Sequence, residues 1–243
     1  MLTQTEENYI KALLKLTEES GQLSIGTNEL ALHLGVKPAT VTDMLKRLRD
    51  KQLVSYEKYG KISLTETART LAIGVLRKHR LWETFLCRSL GLPWHQVHDI
   101  AEQLEHVHSE ALMDRLDAFL GFPNVDPHGD LIPTKEGVFH VRPKQTLSHL
   151  GVSQSAKMVG VGDNSGAFLQ YVDAVGLSLG CEIQVLGIQP YDALIEIQVG
   201  KKVIKVSQKF ADQIYVEFLT AGQHMPTDDA EMRDLVLDRE GDL

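Results

Sequence analysis

Between Thr27 and Thr65 the chain reads as a short helix, a tight turn, a proline-led helix and a glycine-tipped hairpin, an order that few folds accommodate. The stretch TNELALHLG has a capping threonine, Thr27, and a stop at Gly35. A turn, VKP, leads into PATVTDMLKRLRDKQ, with Pro38 in the first turn, where a missing N–H costs nothing. Val41, Met44, Leu45 and Leu48 recur at helical spacing and are its expected buried face. LVSYEKYGKISLT then alternates apolar and polar residues around Gly60, the pattern of a β-hairpin. Upstream, Thr5 is expected to cap a first helix whose apolar stripe is Tyr9, Ile10, Leu13, Leu14 and Leu16, ending near Ser20 and Gly21. Any one of these elements fits an ordinary helical domain. Their order, with the hairpin directly after the third helix, predicts a winged helix-turn-helix over residues 1–75.

Such a module binds double-stranded DNA, and its candidate contacts follow from side-chain chemistry. Thr27 and, on the third helix and its approach, Lys37, Pro38, Ala39, Thr40, Thr42, Asp43, Lys46 and Arg47 form the outward face. Hydroxyls and small groups there suit base edges and thymine methyls, and basic groups suit phosphates. Lys58, Tyr59 and Lys61 at the hairpin tip are placed to meet the sugar-phosphate backbone. A formal net charge of -8 argues against nucleic-acid binding until its distribution is considered. Residues 1–80 carry 13 Lys or Arg against 9 Asp or Glu, leaving 12 basic and 24 acidic residues beyond. A basic front joined to an acidic remainder is what a DNA-contacting module fused to a sensing or assembly module shows.

From His79 to His106, histidines and carboxylates recur at helical spacing on two successive stretches. In RKHRLWETFL, His79 and Glu83 are four apart and share a helix face. In HDIAEQLEHVHSE, His98, Glu102, Glu105 and His106 stand at i, i+4, i+7 and i+8, within an arc of roughly 100° on one helix. Charges at this density on one face are costly to bring together unless a cation neutralises them, and imidazole with carboxylate suits divalent Mn, Fe, Co or Zn. A solvated polar face is the alternative.

Trp82, Phe85, Leu86, Leu90, Leu92 and Trp94, continued by Leu112, Leu116 and Phe119, form an apolar cluster. Residues 121–155 hold several Gly and Pro and read as a linker. From Cys181 to Glu217, short alternating strands separated by turns predict a small all-β barrel. The tail from Leu219 is acidic, nearly free of aromatics, and expected to be loosely ordered. The start of the chain has no basic region leading into an apolar core, and no apolar run approaches a membrane span, so neither export nor membrane insertion is expected. Cys87 and Cys181, widely separated, are expected to be reduced.

From Thr5 to Glu217 the chain resembles the metal-dependent repressors of the diphtheria-toxin-repressor and manganese-transport-regulator family. The segments carrying the resemblance are TEENYIKALLKL, LTETARTLAIGVLRKHRLWETFL, VHDIAEQLEHVHSE and DPHGDLIP. It implies an ion held between the first and fifth helices by Glu102, Glu105 and His106, helped by Asn8. Glu102 stands where iron-sensing members carry a cysteine, so the expected ion is Mn(II), with Fe(II) second. Lys11 stands where a manganese-type member carries a glutamate for a second adjacent ion, and argues against that close pair. An ancillary site of His79, Glu83 and His98 is implied as well, with Asp126 and His128 matching a Cys-Pro-His-Gly stretch and Asp163 reaching in from the third domain. For Asp126, His128 and Asp163 a loop turn with Asp at an Asx position is the competing account.

The expected protein is a cytoplasmic homodimer of mainly α architecture with a small β domain. A winged helix-turn-helix (1–75) precedes metal-binding and dimerisation helices with a linker (76–150), an SH3-like domain (151–218) and an acidic tail (219–243). Its expected function is metal-activated transcriptional repression of metal-homeostasis genes. A winged-helix regulator of a non-metal signal is the alternative, and a metalloenzyme is disfavoured because HExxH, nucleophile and phosphate-loop motifs are missing.

Overall fold

The computed structural model describes residues 2–56, 60–141 and 143–218, so Lys58, Tyr59 and the acidic tail lie outside the described residues. Helix α1 (Gln4–Ser20) starts two residues earlier than expected. Its cap is Thr3, whose hydroxyl accepts from the Glu6 amide while the Glu6 carboxylate accepts from the Thr3 amide. This reciprocal pair satisfies two helix-end donors, which Thr5 inside the helix cannot do. Helix α2 (Thr27–His33) is capped by Gly26, so Thr27 is its first residue rather than its cap. Helix α3 (Pro38–Asp50) has Pro38 in its first turn and buries Val41, Leu45 and Leu48, with Met44 half-buried.

Strands β1 (Val54–Tyr56) and β2 (Ile62–Leu64) pair antiparallel, Val54 opposite Leu64, and Ile25 bridges to Ile62. Tyr9, Ile10, Leu13 and Leu14 of α1 enter one core with Leu30, Val41, Leu45, Leu48 and Ile62. That core also takes in Ala68, Ala72 and Leu76 of α4 (Glu66–Arg88), a 23-residue helix capped by Thr65. Helix α4 therefore runs from the winged helix into the next layer, where α5 (Val97–Leu104) and α6 (Glu110–Phe119) pack on it.

The third layer is a six-stranded antiparallel sheet, in the order β3 (Gln145–Thr146), β8 (Ile214–Phe218), β4 (Ser155–Val161), β5 (Glu182–Ile188), β6 (Ile195–Val199) and β7 (Lys202–Val206). It takes in Gln145 and Thr146, ahead of residue 151. Strands dominate Cys181–Glu217 as expected, with one four-residue helix, α8 (Gln208–Ala211), between β7 and β8; ahead of that stretch, α7 (Gly166–Val175) lies between β4 and β5. Ser165 caps α7 by accepting from the Phe168 amide, Gly176 ends it in a left-handed conformation, and Leu169 and Val172 face the sheet core. No helix among the described residues is long and apolar enough to cross a membrane.

Candidate metal centre

Helix α4 presents His79 and Glu83, one turn apart and almost fully buried, toward α5. Helix α5 presents His98 and Glu102, also one turn apart. The sequence pattern had placed Glu105 and His106 on the same helix face, but α5 ends at Leu104, with Glu105 as its C-cap. The chain must turn there to enter α6, which Ser109 caps by accepting from the Leu112 amide. The turn still delivers both side chains to α1, and Glu105 is fully buried.

Two groups of ligand-type side chains result, joined by one imidazole. His79 Nδ1 lies 2.6 Å from Glu105 Oε2, in a group with Glu102. His79 Nε2 lies 3.0 Å from Glu83 Oε1 and 3.2 Å from His98 Nδ1, and His98 Nδ1 is 3.1 Å from the same Glu83 oxygen. His79, expected in the ancillary group alone, therefore belongs to both. Glu83 extends the second group to Asp126 and His128, with His128 Nδ1 3.6 Å from Glu83 Oε2. His106 does not join Glu102 in these groups: its Nδ1 lies 2.6 Å from Glu7 Oε2, and its Nε2 3.7 Å from Glu105 Oε1. Asp163 is in none of them among the described residues, since its carboxylate accepts from the Ser165 amide in an Asx turn leading into α7.

From α1 come Glu7, Asn8 and Lys11. Glu7 and the full role of Lys11 are what sequence reasoning missed. The Lys11 ammonium donates to Glu102 Oε1 at 2.5 Å and to both Glu105 oxygens at 2.7 and 2.8 Å. Asn8 Oδ1 is buried and has no hydrogen-bond partner among the described residues. A buried acceptor left without a donor costs free energy unless a cation or water meets it.

The electrostatics follow from this crowding. Burial works against charge on His79, but Glu83 and hydrogen bonds to Glu105 and Glu83 outweigh it and raise its pKa. Burial likewise opposes ionisation of Glu83, and His79, His128 and His98 hold its carboxyl well below the usual range. Lys11 does the same for Glu102, against partial burial. Asp126 is pushed up to about 7 by burial and by the neighbouring Asp130 and Glu83. His128 is raised to about 9: burial opposes the shift, and Glu83 and Asp126 override it.

The loop carrying Asp126 and His128 is held from two sides. Asp126 Oδ1 accepts from the His128 and Asp130 amides, so the Asx turn forms alongside the ligand cluster rather than instead of it. His128 Nε2 donates to the Trp94 carbonyl at 2.9 Å, which leaves Nδ1 facing Glu83. On the other side the His128 carbonyl accepts from the Val161 amide of β4. Gly129, at φ 86°, lies so close to β4 that a Cβ there would stand 2.1 Å from the Val159 oxygen. Trp94 also donates to Asp173 of α7 at 2.9 Å, so the sheet domain and the cluster share a border.

On the face expected to meet DNA, Lys37, Pro38, Ala39, Thr40, Thr42, Asp43, Lys46 and Arg47 are all exposed along α3 and its approach, whereas Thr27 is half-buried. The Thr42 hydroxyl donates to the Pro38 carbonyl, so its methyl and lone pairs are what it offers outward. Lys46 pairs with Asp43 at 3.2 Å, and Lys61 donates to Gln22 at 2.8 Å. Arg49, which the sequence reading passed over, sits above the Tyr56 ring.

A winged helix fused to a buried imidazole–carboxylate layer and a β domain defines a DNA-binding protein class with an ion-type sensor. Residues 1–62 match the iron dependent repressor N-terminal DNA binding domain, residues 65–134 the iron dependent repressor metal binding and dimerisation domain, and residues 145–218 the FeoA domain. The iron-dependent repressor IdeR of Mycobacterium tuberculosis is 37% identical over 132 residues, which is 54% of this chain and 56% of that protein. The diphtheria toxin repressor of Corynebacterium glutamicum is 35% identical over the same length, 54% of this chain and 57% of its own. The match thus spans little more than half the length of these curated relatives. Among solved structures, a manganese-dependent transcriptional repressor in complex with manganese has 32% identity and a TM-score of 0.77, covering 88% of this chain and all of the other. ScaR with bound Cd2+ has 33% identity and a TM-score of 0.71, over 88% and 99%. The chain belongs to the family of metal-dependent repressors that includes the diphtheria toxin repressor and the manganese-dependent repressors, in the form that carries a FeoA domain.

Proposed function

We propose that this protein is a homodimeric, cytoplasmic, metal-activated transcriptional repressor, with Mn(II) as the preferred ion and Fe(II) second, rather than an enzyme. One observation carries the reading. Helix α1 places Tyr9, Ile10, Leu13 and Leu14 in the core of the winged helix, Lys11 against Glu102 and Glu105 of the cluster, and Glu7 against His106 just beyond α5. Whatever holds that cluster together therefore holds the DNA-binding module.

The donor set supports a divalent ion of hard or borderline character: Glu102, Glu105 and His79, and in the adjoining group His79, Glu83, His98, Asp126 and His128. His106, 3.7 Å from Glu105, and the buried Asn8 oxygen, without a hydrogen-bond partner among the described residues, are the further candidates. No cysteine stands among them, which favours Mn(II) over softer ions. A bound ion would supply the positive charge that these carboxylates and imidazoles share. With α1 drawn to α5, the two winged helices of a dimer spend more of their time at the spacing that fits an operator. Exposed Leu90, Leu112 and Phe119, beside Trp82 and Phe85, give the twofold interface an apolar surface. Thr40 and Thr42 read bases, while Lys58 and Lys61 bind phosphate.

The test is DNA affinity by fluorescence anisotropy, on duplexes selected from genomic fragments in the presence of Mn(II). Chelation should weaken binding at least about tenfold, equivalent to about 1.4 kcal/mol of coupling. Equal affinity with and without chelator would refute the proposal.

A further inference from the structure

Lys11 is 5% exposed, yet its charge points inward. Three oxygens from two carboxylates, Glu102 Oε1 and both of Glu105, converge on its Nζ within 2.8 Å. Glu105 Oε2 also meets His79 Nδ1 at 2.6 Å, so both Glu105 oxygens are already engaged. Coordination by these oxygens would put an ion about 2.0–2.2 Å from them. An ion on the lone pairs that now face Lys11 would overlap the space the ammonium fills, and two cations so close repel strongly in a site with little water.

We propose that Lys11 is the resident cation of this centre, a side chain that Glu102 and Glu105 must release before they can coordinate a divalent ion, and that it thereby sets the ion concentration at which the protein responds. The proposal rests on the ion-binding reading above. Without an ion, Lys11 supplies the positive charge that the Glu102 and Glu105 oxygens face. Activation is then an exchange of one cation for another, and the occupied position leaves no room for a close second ion beside the first. Lys11 thus acts as a specificity residue by subtraction: weakly held ions fail to displace it.

The experiment measures Mn(II) affinity of the full chain without DNA, from the electron paramagnetic resonance signal of free Mn(II). Lys11→Met should bind Mn(II) roughly tenfold or more tightly than the parent, and its metal-free form should unfold at lower urea because two glutamates lose their counter-charge. Lys11→Arg, which keeps the charge, should bind no more tightly than the parent. If Lys11→Met fails to fold, Lys11→Gln answers the same question. Parent-like or weaker Mn(II) binding by the neutral variant would overturn the role of Lys11 alone. A parent whose Mn(II) uptake is unaffected by Glu105→Gln would overturn the ion-binding reading beneath it.

Discussion

Glu105→Gln keeps the side-chain volume and removes one charge at a fully buried position, so its effect can be worked out from the contacts. Both Glu105 oxygens accept from Lys11, and one also meets His79. An amide leaves one acceptor and turns the other position into a donor facing donors. Removing one partner of a buried charged pair costs about 3–5 kcal/mol. Lys11 keeps Glu102 at 2.5 Å, and Glu102 is partly solvated, which places the cost at the low end, about 3 kcal/mol. A domain with about 5–15 kcal/mol of stability survives that loss. The assay is urea unfolding in chelator, followed by fluorescence of Trp82 and Trp94, the two tryptophans of the chain. With a slope of about 2 kcal/mol/M, the midpoint should fall by about 1.5 M. In Mn(II) the gap should widen, because the ion stabilises the parent by mass action and the variant far less. A midpoint in chelator within about 0.3 M of the parent's would mean that Glu105 is not what holds the Lys11 charge in the interior.

Glu102→Cys places a thiolate in a group otherwise made of oxygen and imidazole donors and should raise DNA binding in Zn(II), Co(II) and Fe(II) relative to Mn(II); an unchanged order of activation in anisotropy titrations would put selectivity elsewhere. Lys61→Ala should lower affinity on all duplexes alike and reduce the salt slope by about one, whereas loss confined to one base pair would assign Lys61 to base reading. His128 has a folded pKa of about 9 against an ordinary 6.5, set by Glu83 and Asp126 against burial. A raised value means that its contribution is complete below 6.5 and is lost as pH rises through about 9. The metal-free urea midpoint should therefore fall over that range, and His128→Gln should flatten the fall.

The winged helix was legible because its signals are local: a proline at a helix start, a glycine between alternating strands, apolar residues at helical spacing. Capping was less so. The Thr3–Glu6 box was present in the letters, but Thr5 competed for the same role. The His79, Glu83, His98 and Glu102 pattern survived because each pair sits within one helix. Glu105 and His106 broke from it where α5 stopped, at Leu104, five residues ahead of the Ser109 cap of α6. The contacts of Glu7 and Lys11 were not legible, since their partners are 91 to 99 positions away in sequence. Helix α7 was hidden behind the glycines and the Asx turn that precede it.

The sharing of α1 between the reading head and the ion cluster has a consequence for dose. On the proposed reading, ion and operator are linked ligands, and linkage is reciprocal: the factor by which the ion tightens DNA is the factor by which DNA tightens the ion. A dimer already seated on a strong operator then retains its ion at free concentrations where an unbound dimer would lose it. Promoters with operators of graded strength should switch at graded ion levels from a single pool of protein, so that the order in which genes fall silent is written in the DNA while α1 supplies the common coupling.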